Sequence, residues 1–259
     1  MPHRIAALKI DTTRPGFYDD PAFVAAEARD PSLLNAYSAF IEGLALDPGY
    51  SAYARKRVRE TSKFLLERLT NDGRRGACVD VTLWLGRFLE RQGVWNYAVR
   101  GAVTIVFPPR SRLGRYHMHP RGDVPGHVWL RAPPLDIVDL TIALQMYSNG
   151  EERHVPKFVV DDSARIVSAE ISDLLDREDQ ALMTRRLGHP PTVSEVNSFG
   201  TKAREVRHGD VTIRYTATGV TALLDDGKPV ANLVLSGKAP EELWSEFVAA
   251  HSPPTSYEP

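Results

Sequence analysis

The sequence predicts an α+β fold, on three observations. Apolar residues recur at spacings of three and four through most of the first 90 positions, as amphipathic helices require. From 95 to 141 the pattern changes to short runs rich in β-branched and aromatic residues, as strands require. The segment joining the two regimes carries the only cysteine of the chain, Cys78. The expected core is therefore a helical N-terminal part whose last helix bears Cys78, packed on an antiparallel sheet, with a small β-meander and a helix as tail.

Taken in order, residues 1–30 hold Pro2, Pro15, Gly16 and Pro21 and read as an irregular arm with a short helix near 21–28. Helices follow at about 32–43 and 50–70, the latter with Val58, Thr61, Leu65, Leu66 and Leu69 in phase. The Cys78 helix shows Val81, Leu85, Phe88 and Leu89 at helical spacing and closes at Gly93. A strand is expected within 95–108, a polar loop over 110–126, and two strands over 126–130 and 135–141 that turn at Pro133-Pro134. Beyond a loop at 145–156, residues 157–161 suggest a strand and 168–187 a helix, which His189-Pro190-Pro191 ends. Runs at 211–217, 220–224 and 230–235 predict a three-strand meander with Asp225-Asp226-Gly227 as its hairpin signal, and 239–251 a helix. The change of character near 200 suggests a main domain over 1–200 and a small extension over 201–259.

The chain has 259 residues, enough for a full hydrophobic core. With 32 Lys plus Arg against 33 Asp plus Glu, the net charge of −1 offers no global attraction to nucleic acid. One cysteine excludes an intrachain disulfide and fits a reducing compartment. The opening residues hold no signal-peptide-like apolar run, and no segment approaches the roughly 20 apolar residues of a membrane span. A cytoplasmic protein without membrane partners is expected.

A single cysteine is ordinarily a small buried apolar residue. Here Asn71-Asp72-Gly73-Arg74-Arg75-Gly76-Ala77 leads into Cys78 as a turn becomes a helix. Unpaired backbone N–H groups and the positive end of the helix dipole meet there and favour thiolate over thiol. A base and an orienting carboxylate follow on two strands, His127 in Gly126-His127-Val128-Trp129-Leu130 and Asp136 or Asp139 in Leu135-Asp136-Ile137-Val138-Asp139-Leu140-Thr141. Three residues apart on a strand, the two aspartates point to opposite faces, so only one can reach the histidine. Trp129 should share the face of His127, and Trp84, beyond the first turn of the Cys78 helix, reads as core.

Cys78 opening a helix, His127-x-Trp129 on one strand and Asp139-x-Thr141 on the next together resemble the transglutaminase-like superfamily of papain-like cysteine enzymes, over about 50–145. The resemblance implies a papain-like core in which Cys78 is the nucleophile, His127 the base and Asp139, selected over Asp136 by the Asp-x-Thr pattern, the residue that orients the imidazole. It implies attack on an amide or thioester carbonyl through a covalent acyl-enzyme, as in a protease, amidase, deamidase or transamidase, with a protein, peptide or small amide or thioester as substrate. Arg74-Arg75-Gly76-Ala77-Cys78 is also similar to the Arg-Gly-Gly-x-Cys stretch of arylamine N-acetyltransferases, which would make the chain an acyl-coenzyme A transferase. There Arg75 and Gly76 stand where two glycines belong, and Asp139 lacks the expected Val-Gly-Phe-Gly continuation. A third alternative is a non-enzymatic descendant of the fold that binds a partner. No cofactor is expected, since Gly-x-Gly-x-x-Gly and Gly-x-x-x-x-Gly-Lys-Ser/Thr are both missing. His117-x-His119 beside Asp123 supplies no third ligand of defined geometry, so no metal is expected either. The 108–126 loop, with Arg110, Arg112 and Arg115, is the expected source of substrate selectivity.

Overall fold

The computed structural model describes residues 2–121, 126–148, 150–222 and 234–251. It is α+β, as expected. The N-terminal part comprises α1 (Pro2–Ala6), α2 (Pro21–Glu27), α3 (Leu33–Glu42), α4 (Pro48–Asp72) and α5 (Cys78–Glu90). Helix α4 starts where Asp47 accepts the Tyr50 N–H, has Pro48 in its first turn, and stops at Gly73, whose φ of 69° continues no helix. Helix α5 ends at Glu90, and Gly93 then takes a φ of 73°.

The sheet strands are β1 (Tyr97–Val106), β2 (Arg115–Met118), β3 (His127–Ala132), β4 (Leu135–Asp139), β5 (Val159–Asp161), β6 (Arg165–Ser168), β7 (Lys202–His208) and β8 (Val211–Thr221). Helices α6 (Ile171–Leu174), α7 (Arg177–Leu187) and α8 (Val193–Val196) lie between β6 and β7, and α9 (Pro240–His251) closes the described chain. Among the described residues the strands form one antiparallel sheet in the order β5-β4-β3-β1-β8-β7-β6, with β2 paired to β1.

Several expectations are corrected. Residues 211–224 were expected to hold two strands with a turn between; 211–221 is one strand, hydrogen-bonded along the length of β1. Arg100 pairs with Gly219 and Gly101 with Ala217, so Thr218 is the extra residue of a bulge, and the apparent turn signal at Thr218-Gly219 marks that bulge. The third strand of the expected meander and its Asp225-Asp226-Gly227 turn lie outside the described residues. Strand β7, not anticipated, pairs with β8, and β2 occupies part of the expected loop at 110–126. The single helix expected over 168–187 is two, because Asp176 leaves the helix and caps α7 by accepting from the N–H groups of Glu178 and Asp179.

The boundary expected near residue 200 is crossed by the core. Strand β8 sits between β1 and β7. Helix α9 packs its Phe247 against Phe64 of α4 and its Trp244 against Phe88 of α5, at ring separations of 5.2 and 5.3 Å.

The sheet curls strongly. Arg204 of β7 donates to Asp136 of β4 at 2.8 Å, although four strand spacings, about 19 Å in a flat sheet, separate them. Curling brings the side chains of one face together, and Gly101 makes room for the largest of them. A Cβ at Gly101 would lie 2.1 Å from the Thr216 carbonyl oxygen and 2.9 Å from the Trp129 ring. Gly101→Ala is therefore expected to destabilise the protein by about 2–3 kcal/mol, read as a lower midpoint in chemical denaturation, with a changed near-ultraviolet tryptophan signal.

Candidate active site

The N-terminus of α5 is built open. Ala77 occupies the capping position and offers no side-chain acceptor, so the first-turn N–H groups stay available around Cys78. Gly76 holds a φ of 67°, and its N–H donates to the carbonyl of Leu144 at 2.9 Å, tying the approach to Cys78 onto the 3-10 turn after β4 (Ile142–Leu144). One turn along the same helix face, Thr82 donates to the Val128 carbonyl at 3.2 Å, which sets α5 against β3 beside His127. Cys78 itself is 8 % exposed, whereas the next residue, Val79, is 51 % exposed.

The structure brings Cys78, His127 and Asp139 together. His127 Nε2 lies 2.7 Å from Asp139 Oδ2, and both residues are buried. Because a carboxylate only accepts, Nε2 carries the proton and Nδ1 is the nitrogen left to meet the thiol. Nδ1 is buried with no hydrogen-bond partner among the described residues. This is the reverse of the serine triad, in which Nε2 faces the hydroxyl and Nδ1 the aspartate.

Burial pushes the Cys78 thiol up, but the neighbouring His127, as a donor and a positive charge beside the sulfur, together with the Val128 N–H, outweighs it and leaves the thiol below its ordinary value. Burial works against the imidazolium as well. The Asp139 charge and hydrogen bond, and the facing Cys78 sulfur, reverse that and push His127 up to about 10. Asp139, which burial alone would raise, is held below the usual carboxylate range by the His127 charge and by hydrogen bonds from His127 and Thr141.

Asp139 is saturated with donors. Its Oδ1 accepts from the Thr141 N–H at 2.8 Å and the Thr141 hydroxyl at 3.0 Å. Its Oδ2 accepts from His127 and, at 3.1 Å, from the Tyr215 hydroxyl. Asp136, expected on the opposite face, shares the face of Asp139, because β4 spends three residues (Leu135 to Val138) against two of β3 (Ala132 to Leu130). It lies nearer the start of the strand and accepts from Arg131 at 3.3 Å and Arg204 at 2.8 Å instead of reaching His127. The Trp129 ring stacks on the imidazole with centroids 6.3 Å apart and planes 20° from parallel, and meets the Tyr215 ring edge-on at 5.2 Å. Trp84 is core, 6.0 Å from Phe88.

Tyr215 and Gly101 escape a sequence reading. Nothing local marks Tyr215, which lies 76 residues from Asp139 and reaches it across three strand spacings of the curled sheet. Gly101 does carry a signal, since a lone glycine within a strand pattern announces close approach of another group.

His117 and His119 stack on each other at 4.9 Å; His117 bonds to Thr104 and His119 to the Ser172 carbonyl. Register puts Met118 and His127 on one face of the sheet and His117 with His119 on the other. Asp123 lies outside the described residues, and among those described no group of three or more His, Cys, Asp or Glu is arranged for a metal ion. Arg110 pairs with Asp210 and Arg115 with Glu170. No helix among the described residues is long and apolar enough to cross a membrane. Comparison of the chain with protein-family models, curated proteins and solved structures finds no match.

The coupled pair makes stability depend on pH. His127, raised by folding, contributes fully below the unfolded histidine value of about 6.5, and that contribution fades as pH rises through its folded value near 10. Asp139, depressed by folding, contributes fully above about pH 4, and that contribution is lost as pH falls through its folded value. The stability difference between wild type and Asp139→Asn, measured by urea denaturation, is expected to peak between about pH 4 and 6.5 at about 3 kcal/mol and to shrink on either side.

Proposed function

We propose that this chain is a transglutaminase-like cysteine enzyme that transfers an acyl group from an amide or thioester through a covalent intermediate on Cys78. The observation that carries the reading is the buried contact of His127 Nε2 with Asp139 Oδ2 at 2.7 Å, which leaves Nδ1 as the ring nitrogen available to the neighbouring thiol at a helix N-terminus. The motif residues Cys78, His127-x-Trp129 and Asp139-x-Thr141 support the same superfamily.

In this reading His127 takes the thiol proton and the sulfur attacks the substrate carbonyl carbon, forming a C–S bond and an oxyanion. The Cys78 backbone N–H, free of intrahelical partners, stabilises that oxyanion together with the helix dipole. As the intermediate collapses, the bond to the leaving amine or thiol breaks and the imidazolium returns its proton to that group. The thioester left on Cys78 is then attacked by water or an amine, whose proton His127 accepts, and the sulfur leaves. Asp139 keeps the imidazole in the required tautomer throughout, and Trp129 shields the ring from water. The substrate is a protein, peptide or small amide or thioester, and the chemistry uses no cofactor and suits the reducing cytoplasm.

Two measurements test this. Iodoacetamide should alkylate Cys78 well below pH 8, and His127→Gln, which leaves Asp139 a hydrogen-bond donor, should slow that reaction about tenfold or more at pH 6. Incubation with a small thioester should leave the acyl mass on Cys78 and none on Cys78→Ala. An alkylation rate that follows ordinary thiol titration and ignores position 127 would overturn the reading. An adduct formed with acetyl-coenzyme A and with no other small thioester would identify acetyl transfer instead.

A further inference from the structure

The Tyr215 hydroxyl has no part in the chemistry above, yet it is buried and aimed at the oxygen on which that chemistry turns. It donates to Asp139 Oδ2, the atom that also holds His127 Nε2. Two donors on one carboxylate oxygen divide its negative charge between them. The other oxygen is held twice by Thr141, so the carboxylate cannot rotate to offer His127 a fresh lone pair. Tyr215 is itself locked, edge-on to Trp129 and 2 % exposed.

We propose that Tyr215 is a positioning residue that sets how strongly Asp139 holds the imidazolium, and so how readily His127 gives up its proton. The inference rests on the reading of Cys78 and His127 as a nucleophile and base. A base clamped by an undivided carboxylate holds its proton tightly and returns it reluctantly to a leaving group. Tyr215 weakens that clamp while keeping its direction. It stays a neutral donor, because burial and the Asp139 charge push its phenol well above the ordinary tyrosine range. Among the described residues, other titratable groups acting on the pair include Cys78 of α5, Tyr147 beyond β4 and Asp161 of β5.

The test is a 15N-NMR titration of the His127 ring in the full chain. Tyr215→Phe should raise the histidine midpoint by about half a pH unit or more. Difluorotyrosine at position 215, a stronger donor of nearly the same shape, should lower it. In Asp139→Asn, Tyr215→Phe should leave the midpoint unmoved, because its effect runs through the carboxylate. A midpoint that ignores both replacements, or that moves equally in the Asp139→Asn background, would overturn the inference. Alkylation of Cys78 decides the enzymatic reading separately: indifference to His127 there sinks that reading, while the ring titration still measures the coupling of Tyr215 to Asp139.

Discussion

A carboxylate without solvent must have its lone pairs answered, and much of the structure around the site follows from answering those of Asp139. Four donors do so: two from Thr141 two residues away, one from His127 on the adjacent strand, and one from Tyr215 on a strand three spacings off. An unpaired charge at that depth would cost several kcal/mol, so each donor is under constraint. The Thr141 bonds are cheap, because a short loop after a strand places that residue beside its neighbour's carboxylate. The Tyr215 bond is available only because the sheet curls.

Curling has its own requirements. The bulge at Thr218 bends β8 where it crosses the Arg100/Gly101 step of β1, and Gly101 gives Trp129 space over the sheet. Arg204 and Arg131 close on Asp136 further along the same strand as Asp139, so ion pairs fasten the curl beside the place where the tyrosine uses it. Trp129 is then held between the imidazole and Tyr215, and its packing fixes the ring that the histidine stacks on.

The helical part meets this arrangement at one end of α5. Gly76 on the Leu144 carbonyl and Thr82 on the Val128 carbonyl anchor the helix on either side of Cys78, one contact to the segment that follows Asp139 and the other to the strand that bears His127. The sulfur is thereby located relative to both partners by backbone carbonyls, which have less freedom than side chains. Burial of the thiol opposes its ionisation, and the imidazolium beside it reverses that balance.

What was legible in the sequence is local. Cys78 in the first turn of a helix and His127 and Asp139 on successive strands follow from periodicity and from glycine and proline punctuation, whereas strand alternation misplaced Asp136, which a register shift in β4 returns to the face of Asp139. Those signals act over a few residues, and so do the forces behind them. The sequence alone also established the α+β class, the single thiol and the near-neutral charge. It misread 211–221 as two strands, because a bulge and a turn both use glycine, and only pairing with β1 distinguishes them. It passed over Tyr215 and the union of β7 and β8 with the main sheet for the same reason. Which strands become neighbours, and how far their sheet curls, is decided by burial summed over the whole core, and no short window of sequence carries that sum.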